Sequence, residues 1–98
     1  MTTNVITAIV TAYCACRTCC GPSASNLTAG GKPPTCERTI AASRSIPFGS
    51  RVVVAGRIYT VEDRLAKRFD SRFDIFMSSH QAALNFGIKT QSVVVITK

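Results

Sequence analysis

The stretch Arg51-Val52-Val53-Val54-Ala55-Gly56-Arg57-Ile58-Tyr59-Thr60-Val61-Glu62-Asp63-Arg64 decides the fold class. Two runs rich in β-branched residues, Arg51 to Ala55 and Arg57 to Val61, flank Gly56, the pattern of a tight β-hairpin. Downstream, Arg72-Phe73-Asp74-Ile75-Phe76 reads as another strand, with Phe73 and Ile75 on one face and Asp74 and Phe76 on the other. Upstream, Asn4 to Tyr13 predicts a first strand and Arg38 to Ala42 a short second one. Gln91 to Thr97 closes the chain, and Val93-Val94-Val95-Ile96 is too continuously apolar for an edge exposed on both sides. Ser78 or Ser79 caps a short helix through Phe86, with Ala82, Ala83 and Phe86 at helical spacing and Gly87 ending it. The expectation is a mainly β fold: a small six-stranded barrel with one or two short helices, because closure hides strand edges in so short a chain.

At 98 residues the chain (1–98) reads as a single domain that buries roughly 60–65% of its unfolded surface. A hydrophobic fraction of 46% and a charged fraction of 17% exclude a disordered chain. No apolar run approaches the ~20 residues that span a membrane, so no membrane partner is expected. No signal peptide is visible: Met1-Thr2-Thr3-Asn4 lacks a basic region, and Val5 to Ala12 is short and interrupted by threonine. The chain then acts where it is made, is a mature fragment, or is delivered by other machinery.

Twelve basic residues against five acidic ones give a net charge of +7 and point to an anionic partner or milieu. Nucleic acid is the first candidate for such a balance, thinly supported because the basic residues are spread singly and there is no tryptophan. An anionic polysaccharide or cell wall fits a diffuse positive surface equally well. Four of the five acids, Glu62, Asp63, Asp70 and Asp74, gather between Val61 and Met77. Asp63 and Asp74 sit at the edges of two strand-like runs, so converging strand ends would put two carboxylates in one cleft, as glycosidic bond chemistry requires. The simpler reading pairs these acids with Arg64, Lys67, Arg68 and Arg72 on a solvated loop. Side chains of Asp63 and Asp74 on opposite sides of the fold would rule the cleft out.

Cysteine is dense here: Cys14-x-Cys16-x-x-Cys19-Cys20, then Cys36 beyond a Gly/Pro-rich loop from Cys14 to Pro34. All five are disulfide candidates, and an odd count leaves at least one thiol over within a monomer. Reduced structural thiols and a zinc site drawing on Cys14, Cys16, Cys19 or Cys20 and Cys36 are the alternatives, the latter weakened by the lack of a second x-x pair. Disulfides would place the chain in an oxidising, extracytoplasmic setting. Tyr13, Tyr59 and the phenylalanines read as core.

A further pattern runs through nearly the whole chain, from Thr11 to Ile96. Thr28-Ala29-Gly30-Gly31, Thr39-Ile40-Ala41-Ala42, Ile46-Pro47-Phe48-Gly49-Ser50-Arg51-Val52 and Val61-Glu62-Asp63-Arg64 come first, in that order. Arg72-Phe73-Asp74-Ile75-Phe76, Ser79-His80, Ala83-Leu84 and Phe86-Gly87 follow. Together they resemble the 3D domain, named for three aspartates, and Tyr13-Cys14-x-Cys16-x-x-Cys19-Cys20-Gly21 resembles its cysteine-bearing members in Gram-positive and phage-encoded proteins. The resemblance implies a double-psi β-barrel and a peptidoglycan lytic transglycosylase, akin to the stationary-phase survival autolysins and the barrel of membrane-bound lytic transglycosylase A. It makes Asp74 the catalytic acid, Asp63 its neighbour in the cleft and Thr28 a substrate-contacting threonine; Arg72 and His80 are further substrate-binding candidates. No cofactor and no metal are expected.

Two positions depart from the family pattern. Ser43 stands where the first aspartate is expected, and Leu65-Ala66-Lys67-Arg68-Phe69-Asp70 replaces a glycine-rich loop, so Asp70 inherits no role. The partners implied are peptidoglycan glycan strands, met as a monomer or within a larger wall-degrading or phage assembly, and not nucleic acid. The alternative is a catalytically silent barrel that binds glycan or cell wall.

Overall fold

The computed structural model describes residues 2–14, 27–65, 68 and 71–98, and among these described residues there are six strands and one helix. They are β1 (Thr2–Tyr13), β2 (Thr39–Ala42), β3 (Arg51–Val54), β4 (Arg57–Arg64), β5 (Arg72–Phe76), α1 (His80–Phe86) and β6 (Lys89–Thr97). The strands close into a mixed barrel in the order β1-β5-β2-β4-β3-β6, the mainly β architecture expected from the sequence. Among the described residues no helix is long and apolar enough to cross a membrane.

Local chemistry explains the punctuation. Ala55 and Gly56 turn the β3–β4 hairpin with φ of 50° and 80°, the pair of left-handed residues whose twist matches the flanking strands. The Ser79 side chain accepts from the Ala82 N–H at the start of α1, and Gly87 ends the helix at φ 72°. β6 lies between β1 and β3, which explains why its four consecutive apolar residues are tolerated. The one substantive difference from the sequence reading is the length of β4: it runs on past Val61 to Arg64, because β2 lies parallel beside it as far as the Ala42–Arg64 pair.

The registers contain an approximate two-fold. Exchanging β1 with β4, β2 with β5 and β3 with β6 leaves the strand order unchanged. The exchange also maps the Ile40–Val61 pair onto Phe73–Val10, and the Val54–Arg57 pair onto Val93–Ile6. Its axis runs through the Ala41–Asp74 pair on one wall and the Val54–Val93 pair on the other. This twofold exchange is the pattern of a double-psi barrel, with one parallel pair (β1/β5, β2/β4) in each half. Val10, Ile40, Val52 and Val61, all without exposed surface, fill the interior with Phe73, Ile75 and Val93. Each such side chain contributes about 1.5–3 kcal/mol of burial.

Candidate active site

The strand alternation that buries Phe73 and Ile75 turns Asp74 to the outer wall of the barrel. On β4 the same alternation would bury Asp63, since Val61 points inward. A bulge prevents it. β2 steps from Ile40 to Ala41 while β4 steps from Val61 to Asp63, leaving Glu62 as the extra residue. Glu62 and Asp63 therefore both look outward, which is how a bulge re-aims a side chain. Thr11, Asp74, Ala41 and Asp63 then form one row across β1, β5, β2 and β4. The two aspartates are two strand spacings apart, ~9.6 Å between their backbones, and they share a face. The outcome that would have ruled out a two-carboxylate cleft is absent.

The two carboxylates are held differently. Asp74 Oδ1 accepts from Thr11 Oγ1 at 3.0 Å. Its pKa is raised from 3.8 to about 6, first by burial of the carboxylate and then by the Asp63 charge, while the Thr11 hydroxyl and Arg72 pull it down. Asp63 collects three donors: the Tyr13 hydroxyl at 2.7 Å, and the Ala29 and Arg64 backbone N–H groups at 2.8 Å each. Tyr13 also meets Phe76 edge-on, with ring centroids 5.5 Å apart. The sequence assigned Tyr13 to the core; instead its hydroxyl reaches from β1 across to the carboxylate on β4.

Around the pair, the bulge residue is tied down. Glu62 accepts from Thr39 Oγ1 at 2.8 Å and pairs with Arg38 at 3.2 Å. Arg64 donates to the carbonyls of Ser43 (3.1 Å) and Ile46 (2.7 Å) and stacks on the Phe48 ring at 3.9 Å. At Glu62 opens a groove of about 260 Å³, bordered also by Thr28, Lys32, Arg38, Phe48 and Thr60 and lined by neither Asp63 nor Asp74. The Thr28 hydroxyl is buried against this groove and finds no hydrogen-bond partner among the described residues, an arrangement that ordinarily costs about 1–3 kcal/mol unless a ligand or water satisfies it.

The other candidates fall as follows. Arg72 lies on the outer wall two residues before Asp74 and depresses its pKa. His80 opens α1, and its Nδ1 lies 3.9 Å from Cys14 Sγ; neither Asp63 nor Asp74 hydrogen-bonds it. Ser43 sits in the turn after β2, its hydroxyl 3.0 Å from that of Ser45, so the place of the expected first aspartate holds no carboxylate. Of the disulfide candidates, Cys16, Cys19 and Cys20 lie outside the described residues, as does Asp70; Cys14 and Cys36 are not bonded to each other. Among the described residues no group of three or more His, Cys, Asp or Glu side chains is placed to hold a metal ion. Sequence reasoning missed Thr11, Tyr13 and the Ala29 N–H, which bind the two carboxylates from segments far away in the chain.

Fold and site together define a small closed β-barrel with a paired-carboxylate face. No protein-family model and no curated protein matches this chain.

Proposed function

We propose that this protein is a peptidoglycan lytic transglycosylase, cleaving the bond between N-acetylmuramic acid and N-acetylglucosamine with Asp74 as acid and then base. The observation that carries the reading is the Asp74 carboxyl, half-buried beside Thr11 in the same row as Asp63, with its pKa raised to about 6. At pH 7 about a tenth of such groups hold a proton, enough for a general acid poised near neutrality. The likeness to the 3D domain, with Asp63 and Asp74 at the family's spacing, supplies the substrate class.

In this mechanism Asp74 gives its proton to the glycosidic oxygen as the bond to the anomeric carbon breaks. The muramic sugar's own 6-hydroxyl oxygen then bonds to that carbon, and its proton passes to the Asp74 carboxylate. No water is consumed, the product ends in a 1,6-anhydro ring, and Asp74 is restored. Asp63 is the fixed negative charge: it keeps the Asp74 proton in place and faces the positive charge that develops on the sugar. Thr28, Arg72 and the groove at Glu62 contact the glycan, with His80 a further substrate-binding candidate. The activity belongs to an extracytoplasmic setting, reached by the chain alone or as part of a wall-degrading or phage assembly.

Incubation with purified sacculi tests the proposal, with mass spectrometry of the released fragments. Wild type yields 1,6-anhydro muropeptides and Asp74→Asn yields none. The second reading, a silent glycan-binding barrel, is favoured by the serine pair at Ser43 and Ser45 where a third carboxylate is expected. Sacculus pull-down without anhydro products from wild type would select it.

A further inference from the structure

β1 and β5 run parallel, and their register sets Thr11 beside Asp74 on the outer face. The Thr11 hydroxyl has one proton and two acceptors in reach, Asp74 Oδ1 at 3.0 Å and the Phe73 carbonyl at 3.5 Å. The carboxylate is the nearer and the stronger acceptor, so the proton goes to Oδ1. Among the described residues no hydrogen bond reaches the other carboxyl oxygen, Oδ2. The two oxygens of Asp74 are therefore unequal: one is held by the protein and the other is open. Threonine suits the holding role, because branching at Cβ restricts χ1 and fixes where the hydroxyl lies.

We propose that Thr11 is a positioning residue, whose hydroxyl claims Oδ1 of Asp74 and so reserves Oδ2 as the oxygen that gives and regains the reacting proton. The inference rests on the transglycosylase reading for the identity of the reaction. In the first step the O–H bond at Oδ2 breaks, its electron pair stays on the carboxylate, and the proton bonds to the departing glycosidic oxygen. In the second step the proton of the sugar's 6-hydroxyl returns to Oδ2. One oxygen serves both steps, so the side chain need not turn between them. The groups that face Asp74 are few. β1 brings Thr11 and the Tyr13 phenol, which is bound to Asp63; β2 brings the uncharged Ala41; β4 brings Asp63; and Arg72 stands on its own strand. A neutral replacement at Thr11 leaves the charges of Asp63 and Arg72 as they are, which isolates the hydroxyl.

The test compares the full chain with Thr11→Val, which keeps the branched shape and loses the hydroxyl, and with Thr11→Ser, which keeps the hydroxyl. Two quantities are measured: the titration midpoint of the carbon-13-labelled Asp74 carboxyl by NMR, without sugar, and the pH profile of anhydro-product release from solubilised glycan strands. In Thr11→Val the midpoint should rise by about one pH unit, since the ionised form loses a donor. The low-pH plateau of kcat should nevertheless fall by about tenfold with KM unchanged, because the proton is then shared between two oxygens, one of them aimed away from the substrate. Thr11→Ser should return both to wild-type values. A packing role would leave midpoint and plateau where they are; a purely electrostatic role would move the midpoint and keep the plateau. Either result overturns the proposal, as does Thr11→Ser behaving like Thr11→Val. The sugar-free titration separates the two failures. Wild type that releases no anhydro products sinks the transglycosylase reading and the role of Oδ2 with it, whereas an unmoved midpoint sinks the role of Thr11 even where products form.

Discussion

The two halves of the barrel match where they face the interior and differ where they face out. Under the strand exchange Val61 corresponds to Val10, Ile40 to Phe73, Ala42 to Ile75 and Val54 to Val93, apolar against apolar throughout. On the outer row the correspondence fails: Asp74 answers to Ala41, and Asp63 answers to Thr11. Each half contributes one carboxylate at a position its counterpart leaves uncharged. The bulge at Glu62 also occurs in one half only, and it alone brings Asp63 out of the interior. Closing the barrel requires two equivalent walls; a pair of carboxylates with different environments requires that equivalence to be broken.

The sharpest way to break the contrast is Asp74→Asn, which makes the outer row uncharged at the axis on both sides. Loss of a general acid costs about 10²–10⁴-fold in turnover, measured as anhydro-muropeptide release. The same substitution is expected to stabilise the fold above pH 6. Asp74 has a folded pKa of about 6 against 3.8 unfolded, so its stabilising contribution is present below pH 3.8 and is lost as pH rises through 6. Asparagine escapes that loss. Denaturant titrations should show a gain of up to ~3 kcal/mol at pH 7 that vanishes near pH 3.5. The activity of wild type should fall as pH rises through about 6, in step with the loss of the Asp74 proton.

The matching side of the comparison is tested by Val10→Ala and Val61→Ala, equivalent positions that are both without exposed surface. Each should cost about 2 kcal/mol of stability through lost burial and an unfilled cavity, with specific activity kept. Losses that agree to within about 1 kcal/mol, read from denaturant midpoints, mean the two-fold extends to packing; a larger difference confines it to register.

Asp63→Asn comes next in size. It removes the charge that helps hold the proton on Asp74, while asparagine can still accept through one oxygen. The pH at which activity is lost should move down, and activity at pH 7 should fall by up to about tenfold. A pH profile that does not move would show Asp63 acting through its contacts with Tyr13 and Ala29 instead of its charge.

How far the sequence could reach is visible in these same residues. The alternation Phe73-Asp74-Ile75, the turn at Gly56 and the Ser79 cap are local signals, and each is read within a few positions. Asp63 was placed beside Asp74 by assuming that two strand ends converge and by a resemblance, not by its own strand pattern. Its own strand, read at period two, would send it into the core with Val61, and the extra residue at Glu62 shows only against the parallel partner β2. Tyr13 to Asp63 spans 50 positions, Thr11 to Asp74 spans 63 and Cys14 to His80 spans 66. Those pairings depend on the strand order, which no local propensity encodes.

The smallest expected effect lies at Gly30, where the segment that serves Asp63 passes closest to the bulge. A Cβ there would stand 3.0 Å from the Glu62 carbonyl oxygen and 3.5 Å from Thr28 Oγ1. The hydroxyl can rotate away, but the carbonyl is part of β4 and cannot. Gly30→Ala must therefore push the 28–32 turn outward, stretching the Ala29 N–H bond to Asp63 that now measures 2.8 Å. The turn's own bonds, Thr28 N–H to the Lys32 carbonyl and Gly31 N–H to the Thr28 carbonyl, move with it intact. Stability should drop by about 1 kcal/mol, the net worth of one such bond, and activity by a few-fold. Activity that falls while the thermal midpoint holds would place the whole effect at the carboxylate that only one half of the barrel possesses.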